Sequence, residues 1–223
     1  MRFLDREGTR IAYDVHGEAS PGMPLLLSHG FSSSSAMWAP NLGALVADRP
    51  VLTWDVRGHG ESESPEDPSR YTEAASVADM EAVLDACGVE RAAVGGLSLG
   101  GYLSLAFHVQ HPERVGALLL FDTGPGYRSA ESREQWNRWA AAQADAFDAE
   151  GLGALSTSSE VRRGAHHPGG LSRAARGILV QRTSAVIDSL PSIDVPTLVL
   201  VGAEDAPFLT AADYMAARIP GAI

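Results

Sequence analysis

Lysine is absent from this sequence. All 17 basic residues are arginine, and they stand against 28 aspartates and glutamates, which gives a net charge of −11. A strongly acidic chain is repelled by phosphate backbones and by anionic headgroups. We therefore expect neither nucleic acid nor a membrane as a partner.

Cysteine and long apolar runs are also scarce. Cys87 is the single cysteine, so an internal disulfide is excluded. No apolar run reaches the roughly 18 residues that indicate a transmembrane helix. The first seven residues lack the apolar core of a secretory signal, which makes the cytoplasm the expected location. The length of 223 residues suits one domain with a sizeable core.

The strongest motif lies in the glycine-rich segment 95–101. Ser98 is flanked by Gly96 and Gly100, in the G-x-S-x-G pattern of a nucleophile elbow between a strand and a helix. Such a turn reverses the chain within about one residue and strains the serine backbone. Side chains at the two glycine positions would collide across it. The pattern predicts an exposed nucleophile, and the alternative is an ordinary glycine-rich loop.

Short apolar segments alternate with helical periodicity along most of the chain. Val77, Met80, Val83 and Leu84 are spaced for one face of a helix. The predicted strands are 2–5, 10–16, 25–28, 51–55, 92–94, 116–122 and 197–202, and the predicted helices are 37–47, 71–87, the run from the elbow to 111, and 210–218. This order indicates an α/β fold with a mostly parallel sheet covered by helices on both faces. The carboxyl ends of its strands then meet at one edge.

The segment 125–191 differs from the rest of the chain. Between Gly124 and Leu190 eight arginines nearly balance seven acids, whereas the remainder is strongly acidic. Residues 131–150 are strongly helix-forming, and 171–190 form a second helical region. We predict a helical cap, 125–191, inserted into a core made of 1–124 and 192–223.

Four landmarks, in order, resemble the α/β-hydrolase superfamily across nearly the whole chain. They are His29-Gly30-Phe31, the turn Asp55-Val56-Arg57-Gly58-His59-Gly60-Glu61-Ser62, the elbow around Ser98, and Gly202-Ala203-Glu204-Asp205. The resemblance implies an oxyanion hole formed by the backbone N–H groups of Phe31 and Leu99.

The resemblance also implies roles for other residues. Asp205 matches the acid that orients the catalytic base, with Asp122 as the alternative and Glu204 less favoured. His29 is expected to brace its loop, Arg57 to pair with a carboxylate, and His59 to be a packed loop histidine.

Caps in this superfamily cover the acyl pocket. Trp136 and Trp139 are therefore candidate substrate-binding residues, unless these rings only dock the cap on the core. The cap arginines Arg128, Arg133 and Arg138 could attract an acidic substrate.

The general base is the missing part. In the superfamily it is a histidine after the eighth strand, and here Ile223 would begin that strand. We expect the base beyond residue 223, so the chain as given is either a fragment of low activity or a natural short form that has lost hydrolysis. His166 and His167 are weak candidates to replace this base. A metal site at these adjacent histidines is a weaker hypothesis still, because no carboxylate or cysteine has matching ligand spacing.

These features predict a serine hydrolase that cleaves a small ester or lactone through an acyl-enzyme on Ser98, with no cofactor and no metal. The sequence most resembles a small bacterial group that acts on esters and enol-lactones. A carbon–carbon bond hydrolase, a perhydrolase and a non-catalytic ligand-binding homologue are the alternatives. Neither the acyl group nor the oligomeric state is indicated.

Overall fold

Seven strands form one sheet in the computed structural model, which describes residues 1–17, 21–155 and 166–223. The strands are β1 (Arg2–Arg6), β2 (Thr9–His16), β3 (Leu25–Ser28), β4 (Val51–Trp54), β5 (Ala92–Leu97), β6 (Val115–Phe121) and β7 (Thr197–Leu200). All seven predicted strands are present. Strand β5 continues three residues beyond its predicted end, because its two glycines still pair with neighbouring strands.

Helices connect the strands. They are α1 (Ala39–Leu45), α2 (Glu73–Ala86), α3 (Leu99–Gln110), α4 (Ala130–Glu150), α5 (Pro168–Gly177), α6 (Ala185–Ser189) and α7 (Ala206–Arg218). Helix α7 begins four residues before its predicted start, because Pro207 is well suited to the first turn. The region predicted at 171–190 divides into α5 and α6. Within the described residues, no helix is both long and apolar enough to cross a membrane.

The strand order creates a crevice at the centre of the sheet. The order is β1-β2-β4-β3-β5-β6-β7, with β1 and β2 antiparallel and the strands from β4 to β7 parallel. The chain passes from β3 outward to β4 and then returns to the other side of β3 as β5. Ligand sites in parallel sheets form where the order reverses in this way. Here that point is the carboxyl end of β3 and β5.

Alternate side chains of the strands enter two apolar clusters, because successive strand residues point to opposite faces. Leu26 belongs to the larger cluster, with α2 and α3, and Leu25 and Leu27 belong to the smaller one, beside α1. Helices α4 and α5 pack on each other. Their buried residues Ala140 and Ala174 join the larger cluster.

The outer edge of β7 is paired with the last residue. The N–H of Ile223 donates to Thr197 O at 3.1 Å, and the N–H of Val199 donates to Ile223 O at 2.7 Å. This is the hydrogen-bond pattern of a parallel strand pair. The side chain of Leu200 at the end of β7 remains 56% exposed.

Candidate active site

Ser98 lies between β5 and α3 in a strained backbone conformation. Its φ is 51° and its ψ is −113°, a region that non-glycine residues rarely adopt. Its N–H donates to Phe121 O at 2.9 Å, and its carbonyl oxygen accepts from Thr123 Oγ1 at 2.6 Å. The neighbouring strand and loop therefore hold the strained residue in place. The backbone prediction for this serine is confirmed.

The two elbow glycines allow β3, β5 and α3 to meet. A methyl group at Gly96 would lie 2.5 Å from Ser28 O and 2.6 Å from the carbonyl carbon of Gly100. A methyl group at Gly100 would collide with Ser28 O and with the carbonyl oxygen of His29. The predicted steric conflict is present, and it involves β3 as well as the turn itself.

Two backbone amides beside Ser98 have no acceptor among the described residues. They belong to Leu99, the first residue of α3, and to Phe31 in the loop after β3. A methyl group at Gly30 would lie 3.7 Å from Ser98 Cβ, so this loop lies against the serine. Unengaged N–H groups at such a position, one of them at a helix N-terminus, can bind a developing negative charge.

His29 links the loops that follow β3 and β4. Its Nδ1 donates to Gly30 O at 2.7 Å, and its Nε2 accepts from the N–H of Val56 at 3.0 Å. These two partners require the neutral ring, and burial lowers the pKa of His29. The prediction that His29 braces its loop is confirmed.

The turn after β4 is held by a buried ion pair and a packed histidine. Arg57 donates from Nε and Nη2 to the two carboxylate oxygens of Asp79, at 2.8 and 2.7 Å. His59 is buried and packs against the ring of Phe31, with centroids 5.6 Å apart. Burial, together with nearby His29, keeps the pKa of His59 well below its ordinary value. Both predictions for this turn, the ion pair and the packed histidine, are confirmed.

Asp205 and Asp122 meet at the carboxyl ends of β6 and β7. Asp122 Oδ1 accepts from the N–H of Gly202 at 2.7 Å, which fixes the loop that carries Asp205. Partial burial raises the pKa of Asp205, and the nearby Asp122 carboxylate raises it further. Both candidate acids are therefore in one place and act on each other. Glu204 has no hydrogen bond to either.

A cleft of about 90 Å³ opens beside Ser98. It is lined by Ser98, Leu99, Tyr102, Thr123, Gly124, Pro125, Gly126, Tyr127, Trp136, Leu179, Gln181, Pro207, Phe208 and Ala211. Trp136 is part of this wall and donates from Nε1 to Leu179 O at 2.8 Å. Trp139 stacks on Trp136 from outside, is 46% exposed, and does not line the cleft. The helix turns Trp139 outward, so the structure does not place it in a substrate-binding position.

Among the described residues that line the cleft, none is charged and none is a histidine. His166 is close enough to His29 and His59 to contribute to the lowering of their pKa values, and it does not line the cleft. His167 is exposed. Within the described residues, no group of three or more histidine, cysteine, aspartate or glutamate side chains could hold a metal ion.

Two of the three candidate arginines have partners within the protein. Arg128 forms an ion pair with Asp188 at 2.7 Å, and Arg133 donates to the carbonyl oxygens of Tyr127 and Arg128. Neither of them, nor Arg138, lines the cleft. Their positions do not support the expectation that they attract an acidic substrate.

Sequence reasoning did not identify several cleft residues as part of the site. Tyr127 and Gln181 lie in irregular segments and Phe208 lies in the first turn of α7, where no periodicity marks them. The sequence offered one indication of the cleft wall, the segment 123–126, because this segment lies just after the carboxyl end of β6. Gln181 carries no sequence signal at all.

Comparison with known proteins gives a consistent picture. A sequence model described as the alpha/beta hydrolase fold matches residues 23–176. A 3-oxoadipate enol-lactonase from Acinetobacter baylyi is 26% identical over 226 residues, which cover 92% of this chain and 79% of that protein. A protein of Caulobacter segnis, provisionally named carbamate hydrolase RutD, is 40% identical over 111 residues. That match covers 49% of this chain and 42% of that protein, so the chain matches less than half the length of this relative.

A solved structure is also similar over the whole chain. The enol-lactonase from Burkholderia xenovorans LB400 superimposes with a TM-score of 0.82 and 26% identity, covering 99% of this chain and 89% of that structure. A similarity of this extent includes β7 and α7 as well as the residues that the family sequence model matches.

Proposed function

Because the chain belongs to the alpha/beta hydrolase fold family, we propose that it is a serine hydrolase that cleaves a carboxylic ester or lactone bond in a small molecule. One observation carries this proposal. Ser98 lies at a positive φ beside two unengaged amides, those of Phe31 and Leu99, in a cleft whose described lining carries no charged side chain. Acyl transfer needs a nucleophile and an oxyanion site in this arrangement.

In the proposed reaction, Ser98 Oγ attacks the carbonyl carbon and its proton passes to a general base. The carbonyl oxygen becomes an oxyanion and accepts from the two amides, each worth roughly 3–4 kcal/mol of transition-state stabilisation. The tetrahedral intermediate then expels the alcohol and leaves an acyl-enzyme on Ser98, which water hydrolyses. Asp205 would orient the base, with Asp122 holding the loop of Asp205 through Gly202.

The proposal assigns the general base to no residue, because no described histidine lines the cleft. Losing the triad base alone costs on the order of 10⁶ in turnover in a serine protease. We therefore expect residues 1–223 by themselves to hydrolyse esters only slowly.

The position of the cleft supports the proposed division of the chain into a core and a cap. We retain 1–124 and 192–223 as the core and 125–191 as the cap. The cleft supports this division, because Trp136 and Gln181 from the proposed cap face Ser98 and Phe208 from the core. In this arrangement the cap forms one wall of the acyl site.

The test is covalent labelling with a fluorophosphonate probe, located by mass spectrometry. Imidazole is added to supply the missing base, and Ser98→Ala is the matched control. We expect labelling at Ser98 that rises with imidazole and is lost in the control. Absence of Ser98 labelling at every imidazole concentration would favour a non-catalytic ligand-binding protein and reject the hydrolase.

A further inference from the structure

Gln181 is held rigidly at the wall of the cleft. Its N–H donates to Asn137 Oδ1 at 2.8 Å, and Asn137 Nδ2 donates back to Gln181 O at 2.9 Å. Asn137 belongs to α4, so this reciprocal pair fixes the Gln181 backbone to the longest helix. The residue is only 8% exposed although it lies outside any helix or strand. A side chain held in this way is preorganised for binding.

The orientation of the Gln181 amide is fixed by a backbone donor. The N–H of Tyr127 donates to Gln181 Oε1 at 3.1 Å. Because a backbone N–H can only donate, the amide oxygen must face Tyr127, and the NH₂ group must point away from it. The amide also lies flat against Gly126, where an added methyl group would be 2.8 Å from Oε1 and 3.3 Å from Nε2.

The NH₂ group of Gln181 donates to no described residue. Its nitrogen is not among the fully buried polar atoms that lack a partner, so it keeps contact with solvent, and Gln181 is one of the residues that line the cleft. An otherwise buried amide donor without a protein partner is suited to a ligand acceptor, because leaving it unpaired costs free energy.

Apart from the nucleophile Ser98, three further side-chain donors on the cleft wall are engaged. The hydroxyl of Tyr102 donates to Glu73 Oε2 at 2.8 Å, that of Thr123 donates to Ser98 O, and the indole of Trp136 donates to Leu179 O. Tyr127 is 42% exposed and accessible to water. Among the described residues, Gln181 therefore supplies a buried side-chain donor that remains available to a substrate, in addition to the groups assigned to the reacting carbonyl.

From this geometry we infer that Gln181 selects substrates whose acyl group carries a neutral hydrogen-bond acceptor, such as a ketone or a carbamoyl oxygen. This inference rests on the proposed function and narrows its substrate class. A neutral acceptor fits because none of the described residues that line the cleft is an arginine or a histidine. A buried carboxylate would lack the charge partner that it needs there.

The test compares two esters that differ in one group. Methyl levulinate carries a ketone in its acyl chain, and methyl pentanoate carries a methylene in the same position. Affinities are measured by NMR chemical-shift titration on the Ser98→Ala chain, so that neither ester is turned over. We expect methyl levulinate to bind about fivefold more tightly, as one net hydrogen bond predicts.

Gln181→Glu is the decisive variant, introduced into the same Ser98→Ala chain. It preserves the side-chain shape and the acceptor for Tyr127 N–H, and when ionised it replaces the NH₂ donor with an acceptor and adds one negative charge. We expect the fivefold preference to disappear. Gln135→Glu is the matched control, because Gln135 is exposed on α4 and outside the cleft, and it should leave the preference unchanged.

Equal affinities for the two esters, binding of neither, or a preference that survives Gln181→Glu would overturn the inference. The titration does not depend on catalysis. Failure of Ser98 labelling and failure of the ketone preference are therefore separate results, and each rejects a different proposal.

Discussion

Gly96→Ala should disrupt the elbow while adding a single methyl group. The new Cβ would lie 2.5 Å from Ser28 O, 2.6 Å from Gly100 C and 2.8 Å from Gly100 O. All three are backbone atoms, and real Cβ contacts essentially never fall below 3.0 Å. Strand β3 and helix α3 would each have to move by several tenths of an ångström. Neither can do so cheaply, because Ser28 is fully buried in the sheet.

The expected loss is set by overpacking. Inserting a methyl group into a well-packed site costs typically 1–3 kcal/mol, and rigid backbone on two sides places this variant near about 3 kcal/mol. For a chain of this size, such a loss lowers the melting temperature by roughly 6–12 °C. The methyl group also pushes against the first turn of α3, so Ser98 labelling should slow even where the protein is folded.

The assay is thermal unfolding followed by circular dichroism, with fluorophosphonate labelling measured well below the transition. Gly43→Ala is the control, because Gly43 lies in α1 with nothing within 4 Å of the added methyl group. In a helix this substitution should raise stability by up to about 1 kcal/mol. If Gly96→Ala melted and labelled like the unmodified chain, the close approach of β3, β5 and α3 would be refuted.

Two further predictions concern the buried groups around the site. Asp79→Asn should lower the free energy of unfolding, measured in urea, by about 3–5 kcal/mol, because it removes the charge partner of buried Arg57. Asp48→Asn is the control, since Asp48 forms an exposed pair with Arg49, and it should leave the urea midpoint unchanged. The free energy of unfolding should be nearly independent of pH between about pH 7.5 and pH 9 and should fall as the pH drops below about 6.5. Burial lowers the pKa values of His29 and His59 in the folded protein, so below about pH 6.5 the unfolded chain binds protons at these residues that the folded protein does not bind. The free energy of unfolding then falls with a slope of up to about 1.4 kcal/mol per pH unit for each histidine. Equal urea midpoints at pH 5.5 and pH 8 would contradict this assignment.

The motifs in the sequence were sufficient to predict the elbow and the two loops that follow β3 and β4. Glycine on both sides of Ser98 leaves few backbone solutions, and the structure has the positive φ that they require. The bracing role of His29 and the carboxylate pairing of Arg57 also followed from motif positions. Strand positions were predictable because the strands of a parallel sheet are buried on both faces and therefore occur as short continuous apolar runs between helices.

Positions that depend on three-dimensional packing were not predictable in this way. In the sequence, Trp136 and Trp139 are equally plausible as substrate-binding residues. Only the rotation of α4 about its axis places Trp136 on the cleft wall and leaves Trp139 46% exposed. The meeting of Asp122 with Asp205 joins residues that are far apart in the chain, through the pairing of β6 with β7. The single helical region predicted at 171–190 is two helices, because α5 ends at Gly177.

The sequence by itself determined the family, the strand order along the chain, and the residue at the elbow, because these depend on local patterns of glycine, apolar runs and loop motifs. The tertiary structure alone decided which side chains surround Ser98. Gln181 shows the difference most clearly. It lies in an irregular segment and acquires a directed donor only through Asn137 and Tyr127, which contact it across 44 and 54 residues of sequence. A hydrogen-bond direction of this kind depends on long-range packing, and no local pattern encodes it.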